Sequence, residues 1–470
     1  MATNATIDST VGVGRLTGRF YAAVWRWHFY AGLYVIPFLV MLATTGLIML
    51  WVALLDGRDG EKGFRVTPQG SALAVSAQAE AARAAVPDGV VKQYHSPLGP
   101  DRVALFRVDQ GEAAFMVAVD PYTGAVQGQW SRQAGWYDFA TDIHGTLLIG
   151  DVGDRLIEIA AGFAIVMVVT GLYLWWPRNG EGLGSVLVPN LAARGRNLWK
   201  SLHRTIGFWV SAILLVFLLF GLSWAGIWGD RFVQAWSAFP AEKWDNVPLS
   251  DATHASMNHG ATKEVPWALE QTPMPASGSP AGAAGIPDGA PVDLDAMAAL
   301  ARTLGMAGRF QVAVPDGEAG VWTLSQDSMS NDTPDPTSDR TVRLERYTGR
   351  ILADVRFADY SLGGKAMAVG IAFHEGDLGV WNIALNTVFC SSIVFLAISG
   401  VVMWWKRRPD NAGRLVAPPR PGEFPLWKGA IVVGLFLCLA FPLVGVALLA
   451  VLAFDILVVQ NIPPLQRALS

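Results

Sequence analysis

The sequence predicts a polytopic α-helical membrane protein made of two tandem repeats. Each repeat is a span, a polar α+β domain and a second span, and a C-terminal apolar helical region follows. Apolar residues make up 52% of the 470 and charged residues only 16%, too little charge for a soluble chain of this length. The stretch from Thr141 to Arg178 also recurs. His144 leads into an apolar run ending Thr170-Gly171-Leu172-Tyr173-Leu174-Trp175-Trp176, and His374 into one ending Ser399-Gly400-Val401-Val402-Met403-Trp404-Trp405. The His-to-Trp separations nearly agree, at 175 − 144 = 31 and 404 − 374 = 30. A second element repeats with it: His28 precedes Gly32-Leu33-Tyr34-Val35 as His203 precedes Gly207-Phe208-Trp209-Val210.

In chain order, residues 1–27 carry Arg15, Arg19 and Arg26 against Asp8 alone, which places this end in the cytoplasm. The first span, 28–55, is long enough for a hydrocarbon core of about 30 Å, and with no small-residue cleavage site after it, it reads as uncleaved. Residues 56–143 form a polar, periplasmic unit. Ala72–Ala85 is alanine-rich and helical; Arg102–Val108 and Ala113–Asp120 alternate as strands, with a turn at Pro121-Tyr122-Thr123-Gly124. Residues 144–178 hold the His144 segment and the second span, from about 157. The loop 179–202 carries Arg194, Arg196 and Lys200, as a cytoplasmic loop requires.

The third span, 203–228, leads to a longer periplasmic segment, 229–370. Its Pro/Gly/Ala-rich first part, to Ala290, reads as a loop over the domain. The remainder repeats the earlier unit: a helix at Asp293–Leu304, strands near Phe310–Val314 and Val321–Ser325, and a hairpin turning at Tyr347-Thr348-Gly349. Residues 371–408 hold the His374 segment and the fourth span, 409–426 a cytoplasmic loop, and 427–459 an apolar run interrupted by Phe441-Pro442. One tilted, proline-kinked helix and a helical hairpin both fit that run. The two cysteines, Cys390 and Cys438, lie in apolar runs far apart and form no redox or haem-attachment motif.

This topology sorts four histidines into pairs. His28 and His203 each begin an outward-going helix, so both sit at the cytoplasmic face; His144 and His374 sit at the periplasmic face. Halves with two spans each share one orientation and face each other across an axis along the membrane normal. That offers two bis-imidazole sites suited to two non-covalent b-type haems. Gly32 and Gly207, one turn after their histidines, would let a macrocycle approach the backbone, or serve close helix packing alone. Trp25, Trp27, Trp199 and the Trp-Trp pairs read as interfacial anchors or haem walls. Arg26, Lys200 and Arg204 are candidates to neutralise propionates inside, and Arg155 outside. A mononuclear metal site fits less well, because two imidazoles leave the coordination incomplete. His254 and His259 read first as loop residues and second as a periplasmic metal or substrate contact. His95, without a partner in sequence, reads as a surface residue.

The chain resembles the bacterial PepSY-associated transmembrane proteins, which include iron-regulated inner-membrane proteins and FoxB-type ferric-siderophore reductases. The resemblance covers nearly the whole chain. It rests on the His28 and His203 helix starts, the two Tyr-Thr-Gly turns, the Gly-x-x-x-Trp-Trp ends from Gly171 and Gly400, and Val265-Pro266-Trp267-Ala268-Leu269-Glu270. It implies PepSY-like periplasmic domains and haem-dependent electron transfer across the inner membrane to a periplasmic acceptor. Ferric siderophore is the best-known class of substrate. The long second periplasmic segment and the extra C-terminal apolar region depart from smaller members.

The expectation is therefore a di-haem oxidoreductase fed by a cytoplasmic donor or by quinol. No GxGxxG fingerprint in a strand–helix context supplies a nucleotide domain, and the partners are membrane lipid, donor and acceptor, with no nucleic acid. Two rivals remain. One is a non-enzymatic periplasmic binding, sensor or assembly module. The other is a siderophore or metal permease, which needs ionisable residues at mid-membrane, where the spans have almost none.

Overall fold

A computed structural model describes residues 5–178, 182–234, 246–258, 263–409, 415–418 and 428–465. The chain runs through α1 (Ala5–Leu55), α2 (Val75–Ala85), strands β1 (Val90–His95), β2 (Ala104–Gln110), β3 (Ala113–Val119) and β4 (Val126–Ser131), then α3 (Trp136–Thr146), α4 (Asp151–Trp175), the short α5 (Gly184–Leu187) and α6 (Arg196–Leu222). After these come β5 (Leu249–Thr253), β6 (Pro273–Pro275), α7 (Leu294–Thr303), β7 (Gln311–Ala313), β8 (Trp322–Gln326), β9 (Arg340–Leu344) and β10 (Ile351–Arg356). Helices α8 (Leu362–Glu375), α9 (Val380–Trp405), α10 (Lys428–Ala440) and α11 (Pro442–Leu457) complete it. Among the described residues five helical stretches are long and apolar enough to cross a membrane: Phe20–Leu55, Asp151–Trp175, Arg196–Leu222, Val380–Trp405 and Pro442–Asn461. This is a membrane protein that also carries a β-sheet domain. Chain contacts divide it into two compact units.

The helical unit comprises residues 1–44, 151–229 and 388–470. Its core packs Val35 of α1 against Ala161, Ala164 and Ile165 of α4 and Leu218 and Leu222 of α6. Small residues on α4 permit close approach: a Cβ on Gly162 would lie 2.3 Å from Val444 of α11. The C-terminal apolar run breaks at Phe441 (φ −131°, ψ 83°), where Pro442 removes a helical donor. It turns back so far that a Cβ on Gly445 would meet that of Cys438 at 3.0 Å. The run is therefore two helices. The Trp-Trp pairs divide their labour. Trp175 and Trp404 donate through Nε1 to the carbonyls of Val186 (3.1 Å) and Leu415 (2.7 Å), each eleven residues on, and so pin the next loop. Trp176 and Trp405 are exposed, as interfacial anchors are.

The second unit comprises residues 45–150 and 230–387. Its two polar segments are not separate domains, contrary to the sequence expectation. Their strands form one eight-stranded antiparallel sheet ordered β10-β9-β8-β7-β1-β2-β3-β4. The join is β1 to β7, with Gln93 opposite Ala313, Tyr94 opposite Val312 and His95 opposite Gln311. Each half alone would leave an open edge strand, and pairing the two edges removes both. Helices α2 and α7 share a single core with that sheet, built on Ala82, Phe106, Val117, Met297, Phe310, Leu324 and Leu344.

The two Tyr-Thr-Gly turns are built alike. Asp120 Oδ1 accepts from Tyr122 N at 2.9 Å, and Glu345 Oε2 from Tyr347 N at 2.7 Å; Gly124 (φ +73°) and Gly349 (φ +64°) take the left-handed position. Strands β1 and β4 carried no clear alternation and are additions to the sequence reading. The Pro/Gly/Ala-rich stretch is not loop throughout: it supplies β6, which pairs with β5, and a bridge from Ala283 to Ile351.

Candidate cofactor sites

In the helical unit, His28 of α1 and His203 of α6 line one cavity of about 480 Å³. This lies within the range of small-molecule and cofactor sites. Its walls are mainly apolar, with Gly32, Gly207, Gly171 and Gly400 among them, and Trp25, Trp175 and Trp404 as aromatic panels. Cβ atoms on Gly32 and Gly207 would meet only Met167 at 3.6 Å and Leu396 at 3.8 Å, ordinary contacts. These two glycines therefore open the cavity rather than relieve a helix clash. Lys200 and Arg204, anticipated as anion partners, line the cavity, and Arg196 and Arg407 join them. Arg26 does not line it; it bonds to Tyr30 Oη and the Pro418 carbonyl instead.

Both imidazoles are held the same way, and the residues that hold them lie in the repeated motif. Thr170 Oγ1 is 3.0 Å from His28 Nδ1, and Ser399 Oγ is 2.7 Å from His203 Nδ1. Each hydroxyl already donates its proton within its own helix, Thr170 to the Val166 carbonyl (2.7 Å) and Ser399 to that of Leu396 (2.9 Å). With its proton on that carbonyl, each oxygen accepts from Nδ1–H, which leaves the lone pair on Nε2. That is the tautomer a metal ligand needs. The next residue is glycine in both copies. A Cβ there would stand 3.3 Å from His28 Cε1 at Gly171 and 3.9 Å from His203 Cε1 at Gly400.

The sheet-bearing unit holds the second pair. The rings of His144, on α3, and His374, on α8, have centroids 6.4 Å apart and planes at 85°. Two metal–imidazole bonds of about 2 Å occupy roughly 4 Å of such a span, and the remainder is what two half-rings need. Thr45 Oγ1 lies 2.8 Å from His144 Nδ1, and the following Gly46 would bring a Cβ to 3.8 Å from His144 Cε1. A hydroxyl–glycine dipeptide therefore stands beside three of the four histidines. It was visible in the sequence as Thr45-Gly46, Thr170-Gly171 and Ser399-Gly400, and the reading above passed over its hydroxyl.

Two asparagines also went unnoticed. Asn382 and Asn386, buried at the start of α9, donate to the Phe373 carbonyl at 2.9 Å each, and Asn386 also to that of His374 at 2.9 Å. They satisfy the last carbonyls of α8, whose C-cap is Gly376 at φ +95°. The turn after His144 has no such glycine: Leu147 (φ +53°) and Leu148 (φ +61°) both adopt the left-handed conformation, a strained arrangement for leucine. Burial pushes the pKa of His374 down to about 4, so the imidazole is neutral and able to ligate.

The remaining candidates are placed elsewhere. Arg155 is engaged with Asp154 and Glu158 on its own helix, not with a cofactor pocket. His254 is fully buried, its Nδ1 2.8 Å from the Thr272 carbonyl, and is no surface contact. His259 lies outside the described residues. His95 is not a surface residue but only 3% exposed. It faces inward from β1 because that strand is interior to the joined sheet, and its Nδ1 accepts from Arg309 at 2.8 Å. Arg309 also pairs with Asp59 (2.6 Å), Glu61 (2.9 Å) and Asp332 (3.2 Å).

The residues present fit a planar, apolar, anionic group with two open axial positions. The cavity supplies two oriented imidazoles, aromatic and glycine walls, and four cationic side chains. Among the described residues, no cluster of three or more His, Cys, Asp or Glu side chains suits a bare metal ion. Comparison with known families agrees with the sequence: the model of a family described as "PepSY-associated TM region" matches residues 25–407. No curated protein matches the chain.

Proposed function

From the premise that the chain belongs to the PepSY-associated transmembrane family, we propose that it is a di-haem b-type oxidoreductase of the bacterial inner membrane. It takes electrons from a cytoplasmic donor or from quinol and delivers them to a periplasmic acceptor, with ferric siderophore as the substrate class, in the manner of FoxB-type reductases. The observation that carries this reading is the pair His28 and His203 in one cavity, each with Nδ1 at hydrogen-bond distance from a hydroxyl of the repeated motif.

In this reading the halves are tandem copies with both PepSY-like segments on the periplasmic side. His28 and His203 hold one haem and His144 and His374 the other. A bound haem supplies one-electron redox chemistry. Thr170 and Ser399 fix the imidazole tautomers, Gly32 and Gly207 keep the cavity open, and Arg196, Lys200, Arg204 and Arg407 offer charge-assisted hydrogen bonds to carboxylates. Apolar walls exclude water from the first pair. One electron converts siderophore-bound Fe(III) to Fe(II), a poorer match for hard oxygen ligands, so the chelator releases it.

The test is an absorption spectrum of the detergent-purified protein, oxidised and dithionite-reduced, with haem counted as pyridine haemochrome. Two b-type haems per chain are expected, with reoxidation of the reduced protein by ferric siderophore. His28→Ala or His203→Ala should remove one haem and spare the other. Protein made with ample haem that binds none would sink the reading and leave a membrane-anchored binding module.

A further inference from the structure

The sheet-bearing unit encloses a second, much smaller cavity of about 10 Å³, beneath α8. Two carboxylates and a phenol meet there: Asp327 (1% exposed), Asp339 (4%) and Tyr360 (4%). Most of their polar atoms are accounted for. Asp339 accepts from Ser328 N at 2.8 Å and from Ser328 Oγ at 3.4 Å, and Asp327 Oδ1 accepts from Ser330 N at 2.7 Å. Asp327 Oδ2 and Tyr360 Oη are buried with no protein partner. Both residues line the cavity. A buried hydroxyl and a buried carboxylate oxygen left unmatched are each costly, and a space of one probe sphere with two to four polar partners is what a structural water requires.

Charge gives the second half of the argument. Two carboxylates buried against one small cavity resist ionising together without a counterion, and neither forms an ion pair among the described residues. Asp327 feels Arg58 and Arg309 at a distance, which favour its charged form, and Asp332 and Glu375, which oppose it. Asp339 faces Asp327 and Asp335, and Tyr360 faces Asp339, Asp327 and Asp359. Burial first, and then Asp327, push the pKa of Asp339 up to about 8, and burial raises that of Asp327 as well, so the pair favours holding a proton. A hard divalent cation fits poorly, since it seeks six or more oxygens.

We propose that this cavity is a proton-and-water site. One water molecule bridges Tyr360 Oη and Asp327 Oδ2, one proton is shared by Asp327 and Asp339, and together they fasten the 327–339 loop to α8. The helix presents Gly364, Ala368 and Ile371 to the cavity, steps of four and three residues that lie on one helical face. His374 follows three residues later, so the site seats the helix that carries that histidine. The inference needs no haem.

The experiment is thermal unfolding of the full chain in detergent, followed by tryptophan fluorescence from pH 5 to pH 9. Asp339 is held neutral in the folded state and ionises at about pH 4 when unfolded. Its contribution is therefore full below the unfolded pKa and lost as pH rises through about 8. The Tm of Asp339→Asn should fall less with pH than that of the wild type, so that the variant gains on the wild type steadily up to pH 8. Parallel pH profiles would overturn the shared proton. Tyr360→Phe should lower Tm at every pH, because the water loses a partner; a raised Tm would mean the hydroxyl was unmatched and the water absent. Calcium or sodium chloride that raises the wild-type Tm at pH 8, but not that of Asp339→Asn, would show a cation there and overturn the assignment.

Discussion

Thr170 Oγ1 sits 3.0 Å from Nδ1 of His28 and 2.7 Å from the Val166 carbonyl to which it donates, so the threonine is placed to set which imidazole nitrogen carries the proton. Ser399 repeats the relationship at His203. Thr170→Val keeps the shape and removes the acceptor. Second-partner losses of this kind cost about 10–100-fold in metal affinity, so the variant should bind haem at the His28/His203 pair correspondingly more weakly, while Thr170→Ser should restore it. Haem titration of the apoprotein reads the difference. Equal affinity in Thr170→Val and wild type would show the hydroxyl to be a bystander.

The glycine after each hydroxyl makes an asymmetric prediction. A Cβ at Gly171 would press on His28 Cε1 at 3.3 Å, whereas at Gly400 it would touch His203 at an ordinary 3.9 Å. Gly171→Ala should therefore tilt its imidazole, lowering haem occupancy or shifting the reduction potential, and Gly400→Ala should be close to neutral. Equal behaviour of the two variants in a spectroelectrochemical titration would contradict this packing.

Most of the spans were legible because apolar length is a one-dimensional signal, and the histidine pairs because the repeat aligned them. The roles of Thr45, Thr170 and Ser399 were not legible. A hydroxyl in an apolar helix is commonly satisfied by its own i−4 carbonyl, and only the geometry shows that the same oxygen also meets an imidazole. His95 misled for a related reason. Its burial comes from the β1–β7 join, a pairing between residues more than 200 apart in the chain, and no local pattern announces it. Asn382 and Asn386 were hidden in a run whose apolar character dominated the reading.

Arg309 offers a prediction about stability. Its side chain is 1% exposed and ties Asp59 and Glu61, which lie in one segment, to Asp332, more than 270 residues later. Removing one partner of a buried ionic cluster leaves uncompensated charge and costs about 3–5 kcal/mol. Arg309→Met should therefore lower the Tm of the sheet-bearing unit sharply. Restoring neutrality in part, by adding Asp332→Asn, should recover some of the loss. If the double variant is no more stable than Arg309→Met alone, the cost lies in lost hydrogen bonds rather than in charge.

His95 makes the same network sensitive to acid. Burial first, and then the Arg309 and Arg132 guanidinium groups, pull its pKa down to about 4 against the opposing pull of Asp59, whereas in the unfolded chain it titrates near 6.5. Between those values the unfolded state binds more protons, so stability must fall as pH drops from about 6.5 toward 4. His95→Asn cannot take up a proton in either state and should remove this part of the slope. Thermal unfolding of the two chains between pH 4 and pH 8 reads it directly. The variant should lose ground at neutral pH, where the smaller amide fills the buried site of the imidazole less well, and regain it as the solution is acidified. A constant Tm difference across that window would mean His95 takes up its proton alike in the folded and the unfolded chain, and that the acid sensitivity of this unit comes from its carboxylates alone.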